Sequence, residues 1–156
     1  MVQIRQGLNA YQRTGAALTL PYFLALLAEA YGRGGQPENG LAAVAEALNA
    51  VDSHQERWWQ AELLRLRGEL LLAQESKGQK VETAEECFRQ ALAVACRQQA
   101  RSLELRAAMS LARLWQRQGK RAAAWELLAP VYDWFTEGFA TADLQEAKKL
   151  LVTLKE

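Results

Sequence analysis

The sequence predicts an all-α fold in which helical hairpins stack one on the next, and three observations predict it. Of 156 residues, 28 are Ala and 25 are Leu, against 7 Val and 1 Ile. Such an excess of strong helix formers over β-branched residues leaves little from which to build strands. Helix-length segments alternate with short polar or glycine-bearing breaks, namely TGAALTLP, GRGGQPENG, VDSHQERW, ESKGQKVET, CRQQARS, QGK and TEGFATAD, and these carry the residues that stop helices and make turns. Finally, one spacing of small, aromatic and bulky residues recurs along the chain. With half its residues hydrophobic and 24% charged, the chain has the composition of one globular domain, not of a disordered or fibrous one.

The breaks predict eight helices, over about 2–14, 19–34, 38–52, 55–75, 80–98, 101–118, 120–137 and 141–155. The leading helix, 2–14, places Ile4, Leu8 and Tyr11 on one face without a hairpin partner of its own. Three hairpins follow, over about 19–52, 55–98 and 101–137. Pro21 and Pro37 stand where helices begin, a position whose amide has no helical acceptor in any case. Pro130 stands inside a helix, where it removes a hydrogen bond and predicts a bend near Ala129. The aromatic segment VYDWFTEGF, with Tyr132, Trp134, Phe135 and Phe139, is expected to plug the last hairpin onto a C-terminal capping helix. The whole chain, 1–156, reads as a single domain.

Whether the hairpins form a closed bundle or an open stack depends on a repeat. From Ala28, the offsets 3, 12, 16 and 19 reach Tyr31, Gly40, Val44 and Ala47; from Ala112 they reach Trp115, Ala124, Leu128 and Val131. From Gly68 the aromatic place holds Leu71, and Ala84, Phe88 and Ala91 follow four residues late, a delay that an insertion in ESKGQK accounts for. Small residues are needed where two helices cross closely, with large ones filling the gaps beside them. Over residues 21–138 this pattern resembles the tetratricopeptide repeat family, with Arg67 replacing the usual apolar residue and Leu24 and Ala108 standing where the motif prefers tryptophan. The resemblance implies a right-handed superhelix of helical hairpins. The strings GLAAVAEAL, RWWQAELLRLRGELLL, CFRQALAVACRQQARSLELRAAMSLARLWQRQGK and LLAPVYDWFTEGFATADLQEAKKLL are similar to the C-terminal repeat region of bacterial multidomain proteins that join a cyclase-like or regulatory domain, a predicted ATPase and a helical tail. That implies a sensing or docking module in signalling, not the catalytic part, and no G-x-x-x-x-G-K-[ST] occurs.

Catalytic chemistry finds little material. His54 is the single histidine and is expected in a turn, so neither a metal-ligand set nor a base for a cysteine nucleophile assembles. Cys87 and Cys96, nine residues apart on one helix, point half a turn apart and about 13 Å along the axis; they cannot bridge and are expected to pack in the core. Unpaired thiols, together with Arg5 and Arg13 where an export signal would need an apolar run, predict a cytoplasmic location. No run of about 18 apolar residues occurs, which argues against a membrane span. A net charge of +1 gives no general attraction to nucleic acid or anionic membrane. Gly32, Gly34 and Gly35 follow a helix and read as a cap and turn, not as a phosphate cradle. Glu62 with Glu69, and Glu85 with Glu86, are expected to be solvated helix carboxylates. Trp115 and Trp125 are expected to pack, and of Trp58 and Trp59 only one can point inward.

The family resemblance implies that the first helix of each hairpin lines a concave groove. By register the groove residues are Tyr22, Glu29 and Arg33, then Glu62, Arg65 and Glu69, then Arg106, Met109, Arg113 and Arg117. Arg106, Arg113 and Arg117 share one stripe, and guanidinium forks suit carboxylates. The stripe predicts an acidic peptide or a C-terminal carboxylate as ligand, with Tyr22 or Met109 adding apolar contact; alternatively these arginines pair with Glu62, Glu69 and Glu104 or stay solvated. The carboxylate clamp of chaperone-binding relatives is not matched, since Glu29 and Glu69 occupy the corresponding places. The expected function is protein recognition without catalysis, cofactor or metal. The alternatives are a homo-oligomerisation unit that buries Ile4, Leu8 and Tyr11 against another subunit, and a small-ligand sensor.

Overall fold

A computed structural model describes residues 2–15, 18–54, 57–74 and 78–155. Among these the chain is entirely helical: α1 (Val2–Arg13), α2 (Leu20–Arg33), α3 (Pro37–His54), α4 (Gln60–Ala73), α5 (Gln79–Arg97), α6 (Arg101–Arg117), α7 (Arg121–Asp133) and α8 (Ala142–Lys155). Pro21 lies in the first turn of α2 and Pro37 opens α3, as proline geometry favours. Two helices are shorter than the sequence pattern suggested. α4 starts at Gln60, because the residues just before it form a turn, and α7 ends at Asp133, one turn past Pro130. The insertion in ESKGQK falls largely at 75–77, outside the described residues, as does the His54 side chain; the backbone of His54 ends α3.

The connections have a shared chemistry. After α2, α5 and α6 the chain closes with the same pair of hydrogen bonds: Gly35 N–H to Gly32 and Gln36 N–H to Tyr31; Gln99 N–H to Cys96 and Ala100 N–H to Ala95; Gly119 N–H to Gln116 and Lys120 N–H to Trp115. This is the Schellman closure, which needs a left-handed residue at its centre. Gly35 (φ 68°) and Gly119 (φ 77°) supply it without strain, whereas the α5–α6 connection uses Gln99 at φ 53°. The YGRGGQP segment is thus a helix cap.

Helices pack as neighbours in sequence: α2 on α3, α4 on α5, α6 on α7, and each hairpin on the next through α3–α4 and α5–α6. In addition α2 touches α4, α4 touches α6 and α6 touches α8, while among the described residues neither α3 and α5 nor α5 and α7 come together. The even-numbered helices therefore form a continuous inner row and the odd-numbered ones splay apart. Close crossings depend on missing side chains. A Cβ on Gly40 would lie 2.7 Å from Leu70 Cδ2 and 3.1 Å from the Ala28 carbonyl, and one on Gly68 would fall against the Phe88 ring, 2.8 Å from Cδ1. Leu70 and Phe88 thus fill notches that any larger residue would close.

The core runs the length of the stack, from Leu8, Leu24, Leu27 and Val44 through Leu63, Phe88 and Leu111 to Leu128, Leu144 and Leu154. Several sequence expectations need correction. Leu8 of α1 is buried within its own chain and Tyr11 sits edge-on to Phe23, 5.4 Å between centroids; of the face expected to meet another subunit, only Ile4 is left exposed. Cys87 is buried but Cys96 is exposed. Trp125 is exposed, with Lys155 of α8 over its ring at 5.4 Å. Of the aromatic plug, Tyr132 and Phe135 pack against the C-terminal core while Trp134 and Phe139 face solvent. Among the described residues no helix is long and apolar enough to cross a membrane.

Candidate functional site

The row of even-numbered helices carries the residues singled out by register, and their geometry is best built from α4. Glu62, Arg65 and Glu69 follow at spacings of three and four, so they share one stripe. Arg65 forks onto Glu62, with Nε to Oε2 at 2.9 Å and Nη2 to Oε1 at 2.8 Å, and its Nη1 reaches Glu69 Oε1 and Ser110 Oγ, each at 3.4 Å. Ser110 in turn donates to Glu69 Oε1 at 2.6 Å. From α6, Arg106 Nη1 lies 3.1 Å from Glu62 Oε1, and its Nε lies 3.9 Å from Asp143 Oδ2 on α8. One network therefore spans α4, α6 and α8.

Glu62 is the centre of that network and only 3% exposed, which corrects the expectation that it is solvated. Two guanidinium groups make its burial tolerable, since an unpaired buried carboxylate is costly. Arg65 is driven two ways. Burial disfavours its charge, but the hydrogen bond and charge of Glu62, helped by Glu69 and Glu29, outweigh this and raise its pKa above the ordinary value.

The remaining register residues are spread along the same face. Glu29 and Arg33 pair with each other on α2 at 2.7 Å, and Arg113 pairs with Glu146 of α8 at 2.8 Å. Arg117 is exposed and has no ion pair among the described residues. Tyr22 stacks on the exposed Trp58 at 6.2 Å and meets Trp59 edge-on at 5.2 Å, beside a Trp59 Nε1 that is buried without a hydrogen-bond partner among the described residues. Met109 is a correction: it is 3% exposed and packs with Leu105 and Leu144 in the core, so it has no surface to offer a ligand. The five carboxylates Glu29, Glu62, Glu69, Asp143 and Glu146 equal in number Arg33, Arg65, Arg106, Arg113 and Arg117, and pair with all of these but Arg117. The arginine stripe is thus mostly occupied by the protein's own carboxylates, and a cavity of about 300 Å³ opens between Glu29, Arg33, Arg65 and Glu69.

Ser110, Asp143 and Glu146 were missed by the sequence reading. Ser110 stands one turn beyond Arg106 and could have been found by continuing that stripe. The two acids belong to a helix read only as a cap. A second buried carboxylate lies elsewhere and again corrects an expectation of solvation: Glu85 on α5 accepts from Trp115 Nε1 at 2.8 Å, Arg89 Nη2 at 2.6 Å and Gln118 Nε2 at 3.4 Å. Burial pushes its pKa up, but the Trp115 and Gln118 bonds and the Arg89 and Lys120 charges bring it below the ordinary 4.5. Loss of solvation raises the pKa of both thiols, most simply at the buried Cys87, and Glu104 adds to the rise at Cys96, which disfavours the nucleophilic thiolate. Among the described residues no three His, Cys, Asp or Glu side chains are grouped so as to hold a metal.

Fold and face together define an all-α stack of helical hairpins with a charge-balanced inner surface. No protein-family model matches the chain, and no curated protein matches it either.

Proposed function

We propose that the chain is a non-catalytic protein-recognition module, a tetratricopeptide-like right-handed superhelix whose inner face binds a partner segment. The observation that carries this reading is the packing order: even-numbered helices contact one another in succession and odd-numbered helices do not. A stack packed in that way presents a long, preformed surface, the architecture that repeat proteins use to bind extended chains. Ion pairs across α4, α6 and α8 hold that surface rigid, which lowers the ordering cost of binding. The ligand best suited to it is an acidic segment or a C-terminal carboxylate, which would take Arg117 and compete with Glu146 for Arg113. The resemblance to bacterial regulatory proteins supports a signalling role in the cytoplasm, with the partner supplied by another protein or by a neighbouring domain.

Titration of the isotope-labelled chain with an acidic peptide bearing a free C-terminal carboxylate tests the proposal. Amide shifts should move on α2, α4, α6 and α8, and Arg113→Glu/Arg117→Glu should weaken binding at least about tenfold, the loss of one charge-assisted contact. Shifts confined to odd-numbered helices, or equal binding by the double variant, would remove the inner face from consideration.

A further inference from the structure

The outer side of the stack contains one junction that breaks the packing rule of the other two. Aligning the repeats on Ala28, Gly68 and Ala112 makes Leu27, Arg67 and Leu111 equivalent, each one residue earlier. Leu27 is 2% exposed and shares a buried cluster with Leu8 of α1, the preceding odd-numbered helix. Leu111 is 1% exposed and is buried with Ala84 and Phe88 of α5, again the preceding odd-numbered helix. Arg67 faces α3 in the same way but is exposed.

Four residues further on, the large Tyr31 and Trp115 correspond to the smaller Leu71. Trp115 ties its junction shut through its bond to Glu85 of α5. A cleft of about 380 Å³ remains, lined by Leu41, Val44, Ala45 and Leu48 of α3 with Arg67 and Leu71 of α4. Leu41, Leu48 and Leu71 are each left partly exposed.

Among the described residues Arg67 is the only charged side chain lining this cleft, and it has neither an ion pair nor a hydrogen bond there. A position that breaks local packing consistency without compensation inside the fold marks a place where function constrains the sequence. The α3 stripe, from Leu41 to Asn49, is two helical turns or about 12 Å long. An apolar floor of that length with one unmatched guanidinium is complementary to a two-turn amphipathic helix that carries leucine-sized anchors and a carboxylate.

We infer that the α3–α4 cleft is a second docking surface, for an amphipathic helix of a partner protein whose apolar face includes an acidic residue positioned to meet Arg67. This surface lies on the opposite side of α4 from Glu62 and Arg65, and its existence does not depend on recognition by the inner face.

The probe is a fluorescein-labelled, alanine-based helical peptide with leucines at i, i+3 and i+7 and a glutamate within that stripe, compared with the same peptide bearing lysine there. Fluorescence anisotropy should show the native chain preferring the glutamate peptide at least about tenfold, one charge-assisted contact, and Arg67→Glu should reverse the preference. Arg67 is exposed, so folding of the variant is expected and circular dichroism verifies it. Arg67→Leu should restore the rule seen at Leu27 and Leu111, raise the thermal midpoint by about 2–4 °C and abolish the charge preference. Equal affinity for both peptides, or a preference that Arg67→Glu leaves unchanged, overturns the inference. So does self-association abolished by Arg67→Glu, which would assign the cleft to a second copy, or decanoate binding tighter than the peptide, which would assign it to an aliphatic acid. The Arg113→Glu/Arg117→Glu variant should bind the glutamate peptide normally, so failure of one surface is distinguishable from failure of the other.

Discussion

At the scale of the residue, the clearest strain is at Gln99. It occupies the left-handed position that Gly35 and Gly119 fill elsewhere, and a side chain there costs about 1 kcal/mol relative to glycine. Gln99→Gly is therefore expected to stabilise the chain by about 0.5–1 kcal/mol, read as a later midpoint in urea with an unchanged slope; a lower midpoint would mean that the Gln99 side chain makes contacts worth more than the strain. Glu85 gives the pH dependence. Its folded pKa lies below the ordinary 4.5, so its charge contributes stability that is fully present above that value and is lost as pH falls through the folded value. Glu85→Gln should thus be less stable than the native chain near pH 7, by about 1–3 kcal/mol for weakened charge-assisted bonds. The two stabilities should converge as pH falls through the folded pKa of Glu85. A difference that stays constant with pH would show that Glu85 acts through shape alone.

At the scale of the element, what could be read from the sequence was what lies within one helix or one turn. The breaks and both helix-starting prolines were visible because caps and turns are local chemistry. Which face of a helix is buried was visible only where few neighbours touch it. α6 packs against α4, α5, α7 and α8, so its buried arc is wide and takes in Met109, which register alone had placed beside Arg106. Glu62 looked like an ordinary surface glutamate because Arg106, which helps to bury it, is 44 positions away in sequence. Trp125 had the opposite fate: expected to pack, it is exposed at the surface of α7. Glycines show the same dependence on neighbours. Gly7, within α1, has open space where a Cβ would go, while Gly68 has the Phe88 ring there. Gly7→Ala should stabilise by about 0.5–1 kcal/mol from helix propensity. Gly68→Ala should destabilise by about 1–3 kcal/mol, because a ring that is 0% exposed has nowhere to move. Chemical denaturation of both variants checks the pair, and a stabilised Gly68→Ala would show that α4 and α5 can separate without loss.

At the scale of the whole molecule, stability is expected to be graded along the stack, because each helix of a repeat array is held only by its neighbours. Among the described residues α6 packs against four other helices, α4 against four, and α1 against α2 alone. The inner ion pairs Glu62–Arg106 and Arg113–Glu146 add ties between α4, α6 and α8, whereas α1 relies on Leu8 and on the Tyr11 hydroxyl, which bonds Thr19 Oγ1 at 2.8 Å. Local opening free energies in such a structure range from near zero at weakly held ends to the global value in the middle. Amide hydrogen exchange should therefore be slowest in α4 and α6 and fastest in α1, with the ratio exceeding about a hundredfold for an opening difference of about 3 kcal/mol. Concentration supplies the discriminating arm. If α1 turned its exposed Ile4 side toward a second copy, its protection would rise with protein concentration while that of α6 would not. Protection of α1 that is low and independent of concentration is the result expected of a chain that recognises its partner with the inner row and leaves the leading helix as a loosely held cover on α2. Protection equal to that of α6 at every concentration would show that α1 is an integral layer of the stack, and that the packing order read from the helix contacts understates what holds the N-terminal end.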